Sequence, residues 1–275
     1  MKIYDCFTFF NELELLELRL MTLYNFVDQF VLVEADSSHS GHPKEFMFEK
    51  NQHMFEKYMD KIRYVKITLP HTRANTPSFS SRHSWTNENY QRNAIMQGIK
   101  DSDPEDFIII SDLDEIPNPA GILEGITEKH WEQFLMDQKL TYYYVNCKAG
   151  QNWHGTAVLK RKLLQTPQRV RDTRHNPPRV VQNGGWHYSY LGGAEKIMEK
   201  MNSYAEYTEV IDQFGTYLKD KEHILECVNT GKDLFKRDGD WRYTKKFVSL
   251  EEMGHPQLSE WLIKYPHMYK EINEN

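Results

Sequence analysis

Four consecutive apolar, β-favouring residues, 107–110, and then Ser111 lead into Asp112-Leu113-Asp114-Glu115. Carboxylates at i and i+2, leaving the carboxyl end of a buried strand, can share one hard divalent cation and through it a bound diphosphate. An acidic turn with Asp112 as a cap accounts for the same residues, and an Asp-x-Asp triplet alone is a weak signal. Its position behind the most apolar strand favours the functional reading. A second segment, residues 184–193 (GGWHYSYLGG), sets His187 between bulky rings with paired glycines on both sides, where backbone can approach a ligand closely. Neutral imidazole suits manganese-like ions, so His187 added to Asp112 and Asp114 makes a mixed oxygen and nitrogen donor set; a core histidine bonded to a carbonyl is the plainer alternative. Glu88 and Arg92 stand at i and i+4, which describes a surface ion pair or, equally, an arginine that reaches a phosphate or clamps a carboxylate.

The elements needed to position these groups follow from hydrophobic periodicity. Residues 3–10 read as a strand and 11–26 as a helix, with Asn11 as N-cap and Glu14 close to a capping box. Residues 29–35 (QFVLVEA) are a strand-length apolar run followed by a polar loop, which makes a βαβ opening. Residues 62–69 form a third strand, 72–82 a loop, 84–100 a helix, and 107–110 a strand buried on both faces. Residues 142–146 and 157–164 read as later strands and 167–183 as a loop rich in proline and arginine. Helices are expected over 194–207, 219–228 and 258–264. The fold class is α/β, and no internal repeat or firm domain boundary is evident.

Composition narrows the function. The chain has 275 residues with 34 Lys+Arg against 40 Asp+Glu, a net charge of −6, and 39% hydrophobic residues, enough for a sizeable core. The acidic balance and the lack of a basic run argue against a nucleic-acid partner, so an anionic ligand needs local neutralisation. Three widely spaced cysteines, Cys6, Cys147 and Cys227, fit reduced thiols in a cytosol. Asp5 and Glu12 interrupt the N-terminus before a secretory signal can build, and no run approaches the ~18 apolar residues of a transmembrane anchor. The expectation is a soluble cytoplasmic protein, with peripheral membrane association open.

Five ordered motifs carry a resemblance: residues 4–20 (YDCFTFFNELELLELRL), 33–44 (VEADSSHSGHPK), 85–95 (WTNENYQRNAI), 108–119 (IIISDLDEIPNP) and 184–193, with a weaker likeness over 231–238. Together they resemble glycosyltransferase family 17, which includes the bisecting β-1,4-mannosyl-glycoprotein 4-β-N-acetylglucosaminyltransferases. The resemblance implies a GT-A-type single domain over 1–275, with a mostly parallel Rossmann-like sheet flanked by helices. About 1–193 would hold the nucleotide-sugar and metal site and about 194–275 a C-terminal helical wrap. It further implies a nucleotide-sugar donor (UDP-N-acetylglucosamine by default), a glycan acceptor, an inverting transfer, and a divalent metal, Mn²⁺ or else Mg²⁺, on Asp112, Asp114 and His187. Without an anchor or stem in the sequence, a microbial or viral member acting on another glycan is the expectation.

Topology assigns nucleotide contacts to Thr8, Phe10 and Asn11 after the first strand, to Glu34 and Asp36 after the second, and to Arg92 and Asp112 beside them. Trp85, Trp153 and Trp186 are available to stack on sugar rings, although tryptophan is more often core. Glu195, opening a helix just past Gly193, is the expected general base, with Asp172 and Asp240 in reserve. Two other readings use the same acidic pair: a phosphohydrolase or nucleotidyltransferase, and a glycan- or nucleotide-binding module without turnover.

Overall fold

The computed structural model describes residues 1–272 apart from 178, 204, 206 and 238, so the last residue of the 231–238 motif lies outside the described residues. Strands β1 (Ile3–Phe9), β2 (Gln29–Ala35), β3 (Ile62–Ile67) and β4 (Phe107–Asp112) pair in parallel in the order β3-β2-β1-β4, with Cys6 level with Val31 and Ile110. Residues 30–35 of β2 are all buried, as a parallel strand covered on both faces must be. Alternation divides the two layers. Phe7, Phe9, Phe30, Leu32 and Ile109 pack under helix α1 (Leu13–Leu23), while Cys6, Val31, Val33, Ile108 and Ile110 pack under Ile95 and Ile99.

Beyond β4 the sheet changes character. It continues through β7 (Cys147–Lys160), β6 (Gln133–Tyr142) and β8 (Val180–Ser189) to the short β5 (Glu115–Pro117), with β9 (Lys245–Phe247) added to β7. Only β6 with β8 is parallel here. The expected α/β, Rossmann-like core is therefore present, joined to an antiparallel half that supplies the far wall of the cleft. Among the described residues no helix is long and apolar enough to cross a membrane.

Several boundaries differ from expectation for local reasons. Asn11 does not cap α1: its side chain turns to Glu199 at 2.8 Å, and the helix starts at Leu13. Helix α2 (Ser81–Asn93) begins inside the expected 72–82 loop, because Ser80 and His83 close a capping box, and it breaks before 95–98. The presumed strand 142–146 is a turn through Tyr143 at positive φ; the strand precedes it. Within 167–183, helix α3 (Pro167–Asp172) forms because Thr166 accepts a hydrogen bond from Arg169 N and Pro167 occupies the first turn. Helix α4 (Gly193–Ser203) opens on two glycines at positive φ, Gly192 just before it and Gly193 at its first position, and ends earlier than 207.

One buried charge ties these pieces together. Arg19 lies in α1 among Leu15, Leu16, Leu18, Leu20 and Leu23, and neither its side chain nor that of Asp5 on β1 is exposed. Its Nε and Nη2 donate to the two Asp5 carboxylate oxygens at 2.7 and 2.6 Å. Nη2 also donates to Ser111 Oγ at 2.6 Å, and Nη1 to the carbonyls of Asp112, Leu113 and Glu115 at 2.9, 3.1 and 3.0 Å. A buried ion pair is tolerable only with such saturation, and here the saturating acceptors are the backbone of the acidic turn. Arg19→Met leaves the Asp5 charge buried and unpaired and should cost about 3–5 kcal/mol in denaturant unfolding. The double variant with Asp5→Leu should recover most of that loss; a single variant as stable as wild type would contradict the clamp.

A second buried polar contact joins the C-terminal segment to the sheet. Thr22 Oγ1 donates to Leu18 O, so it accepts from His255 Nε2 at 2.8 Å; His255 Nδ1 then accepts from Tyr188 Oη at 2.6 Å, while the ring stacks on Trp186 at 3.9 Å. Burial holds the imidazole neutral, with its pKa lowered to about 3. Because the unfolded chain protonates this histidine near 6.5, its contribution is complete above that pH and is lost as pH falls toward 3, at up to about 1.4 kcal/mol per pH unit. Unfolding titrations at pH 7.5 and 5.0 should show a steeper decline for wild type than for His255→Gln; parallel declines would show that His255 is not buried as the neutral form.

Candidate active site

A cavity of about 460 Å³ opens at the carboxyl ends of β1, β2 and β4 and runs under the antiparallel half. Asp112, Asp114, His187, Arg92, Thr8 and Phe10 all line it. Leu113 packs into the core beneath α1, which turns the flanking aspartates the other way. The i and i+2 spacing thus has a structural cause.

Asp112 accepts from Arg92 Nη2 at 3.0 Å on one oxygen and from Arg171 Nη2 at 2.7 Å on the other. Arg92 also holds Glu88 at 2.8 Å, so the ion pair within the helix and the carboxylate clamp are both real. Arg171, from α3, forks onto Glu115 with two bonds of 2.7 Å, and Trp153 Nε1 donates to Glu115 at 2.6 Å. A side chain at Gly155 would strike the Glu115 carboxylate, so glycine is needed there. Asp114 accepts from Lys200 of α4 at 2.7 Å, and its other oxygen faces His187 Nε2 across 3.7 Å. Burial alone would raise both aspartate pKa values; Arg171 and Arg92 for Asp112, and Lys200 and His187 for Asp114, instead hold the carboxyls well below the usual range. Both are ionised at neutral pH.

Other expected contacts fall elsewhere. Glu34 is fully buried and braces the segment after β2, accepting from Lys44, Tyr64 and the backbone N–H groups of Met47 and Phe48. Asp36 bonds Ser37 Oγ at 3.1 Å and is not at the wall, whereas Ser37, Ser38 and His39 are. The end of β2 does reach the cavity, one to three residues later than expected. Asn11 is drawn off by Glu199.

Glu195 is corrected by the helix it opens. Ala194, Ile197 and Met201 form the buried stripe of α4, so Glu195 points outward, 74% exposed and paired with Lys221. It does not line the cavity. Asp172 is exposed and bonds Gln168, and Asp240 pairs with Arg242; neither lines the cavity. Trp153 is at the wall, Trp85 bonds Glu209, and Trp186 is core. The glycines at 184 and 185 serve strand packing: a Cβ would meet Met136 and Asp137 at the first and Ile116 and Pro117 at the second.

Arg19, Arg171, Lys200 and Glu115 were not singled out from sequence. The cluster Arg169, Arg171, Arg174 and Arg179 was the available signal for one of them, and a lone arginine in a leucine-rich helix was the signal for another. Lys200 carries none, since a lysine on an amphipathic helix is ordinary.

Known proteins resemble this chain in sequence and in fold. The human and rat β-1,4-mannosyl-glycoprotein 4-β-N-acetylglucosaminyltransferases are each 29% identical over 119 residues. That stretch covers 41% of this chain and 21% of each relative, so the similarity spans about a fifth of the relatives' length. Among solved structures, Mycobacterium tuberculosis glucosyl-3-phosphoglycerate synthase overlaps with TM-score 0.32 at 14% identity, covering 69% of this chain and 70% of that one. The inositol-1-phosphate CTP transferase of T. maritima overlaps with TM-score 0.38 at 11% identity, covering 76% and 96%. Likeness at this level is coarse. The family model described as glycosyltransferase family 17, by contrast, matches residues 1–274, and the chain belongs to that family.

Proposed function

We propose that this chain transfers a sugar from a nucleoside-diphosphate donor to a glycan hydroxyl, with inversion at the anomeric carbon. The observation that carries the reading is the ionised pair Asp112 and Asp114, presented at the cavity wall where parallel strands end. The nucleoside is assigned to the wall made by Thr8, Phe10 and Ser37 to His39, and the sugar to the region of Trp153. The names of the relatives support N-acetylglucosamine as the transferred sugar, and the carrier proposed for it is UDP.

A divalent cation fits part of this site. Among the described residues no three His, Cys, Asp or Glu side chains gather as a ligand group. Asp114 Oδ1 and His187 Nε2 nevertheless face each other at 3.7 Å, too far for a hydrogen bond, and His187 Nδ1 is buried without a partner. These two side chains would hold the ion, and the imidazole favours Mn²⁺ over Mg²⁺. When bound, it would offset the charge that develops on the departing diphosphate. Asp112 is already spanned by two guanidiniums and orients them.

Proton removal from the acceptor hydroxyl needs a carboxylate without a fixed counter-cation. Asp112, Asp114, Glu88 and Glu115 are each bound by arginine or lysine. At the cavity wall Glu12 alone, among the described residues, has no bond to an arginine or lysine: it accepts the backbone N–H of Asn11 at 3.1 Å and feels Lys200 only through space, and it takes the role first given to Glu195.

Asp114→Asn should lower sugar transfer by about 10²-fold while leaving the folded fraction unchanged, measured as product formed from a panel of nucleotide sugars with Mn²⁺. Full activity in that variant would remove the acidic pair from the mechanism. Glu12→Gln should lower turnover by about 10²-fold with donor affinity near wild type. Normal turnover, or a product that keeps the donor's anomeric configuration, would reject Glu12 as the base.

A further inference from the structure

The cations of the cavity wall can be counted against their partners. Lys44 faces Glu34, Arg92 faces Glu88 and Asp112, Arg171 faces Asp112 and Glu115, Lys200 faces Asp114, and Arg237 faces Asp233. Arg174 also lines the cavity and has no carboxylate partner among the described residues. Its Nε donates to His175 Nε2 at 3.4 Å, and its guanidinium lies 5.4 Å from the centre of the Trp153 ring. Burial and the neighbouring Arg171 lower its pKa more than the fields of Glu115 and Asp112, both already bonded to Arg171, raise it.

Half-burying a guanidinium that makes no direct ion pair is unfavourable until an anion arrives. The Trp153 face restricts the side chain in advance, and a pre-oriented planar fork matches phosphate oxygens in two parallel hydrogen bonds. Trp153 in turn bonds Glu115 and lies against the His187 ring at 5.3 Å, so Arg174 is one ring away from the group facing Asp114. An acidic protein that must neutralise an anionic ligand locally has its one uncommitted cavity-wall arginine, among the described residues, at this point.

We infer that Arg174 is a phosphate-binding residue that receives the diphosphate of the donor and offsets its charge as the glycosidic bond breaks. This rests on the nucleotide-sugar reading above. The test is calorimetric binding of UDP and GDP, and of uridine and guanosine, to wild type, Arg174→Ala and Arg174→Lys in the same Mn²⁺ buffer, with circular dichroism to check folding.

For whichever diphosphate wild type binds better, Arg174→Ala should weaken affinity at least tenfold and leave the matching nucleoside unchanged. Arg174→Lys should recover part of the loss, as a point charge without the fork. Equal diphosphate affinity in wild type and Arg174→Ala, or equal losses for diphosphate and nucleoside, would overturn the Arg174 assignment alone. A wild-type protein that binds neither diphosphate would overturn it together with the nucleotide-sugar reading. Misfolding of Arg174→Ala would leave the decision to Arg174→Lys, in which unchanged nucleoside binding with weakened diphosphate binding supports the assignment and unchanged diphosphate binding rejects it.

Discussion

Arg19 carries a positive charge into the leucine layer between α1 and the sheet, where only complete hydrogen bonding makes it tolerable. Asp5 supplies the counter-charge, but the remaining donors need oxygens, and they take the carbonyls of Asp112, Leu113 and Glu115. A turn that leaves a parallel strand would ordinarily be free to follow solvent and ligand. Here its backbone is fixed from below by a side chain whose own position is set by β1 and α1. The direction of Asp112 and Asp114 into the cavity follows from that restraint, with Leu113 locked in the core between them.

Above the turn, side chains do the same work through charge. Arg92 comes from the parallel half, Arg171 from α3 and Lys200 from α4, and each ends on an aspartate of the turn. Three separate helices therefore agree on one geometry before any ligand binds. Such preorganised charge stabilises a developing anion better than water, because nothing has to reorient when the bond breaks. The same saturation bears on the proposed chemistry: carboxylates bonded to arginine or lysine are poor bases, and the base proposed here is Glu12, the cavity-wall carboxylate that no such side chain bonds among the described residues.

The parallel half was readable from sequence because its strands are near-continuous apolar runs and its helices have period 3.6; residues 29–35 and 107–110 could be little else. Asp112 and Asp114 stood out because they follow such a run, and His187 because glycine pairs flank its aromatic stretch; the fold brings all three to the cavity wall. The antiparallel half was not. Strand β6, QFLMDQKLTY, carries Asp137 and Gln138 inward, where they bond Asn152 and Thr156, so its pattern shows neither an apolar run nor clean alternation. Glu34 misled for a related reason: an acidic residue at a strand end looks like a ligand contact, and only tertiary structure shows its oxygens taken by Lys44, Tyr64 and two backbone amides. Arg19 and Lys200 act through partners about 90 residues away in sequence, and no local pattern encodes such a pairing.

The central claim is that the cavity over the Asp112 to Glu115 turn is the donor site, shaped in advance by the charges around it. A crystal structure of the protein grown with Mn²⁺ and a nucleoside diphosphate tests this most directly. The expected result is a nucleoside against Thr8, Phe10 and Ser37 to His39, a diphosphate over Asp114, and a turn backbone that still accepts all three Arg19 hydrogen bonds. A nucleotide seated outside this cavity, or a turn that must refold to admit it, would contradict the claim.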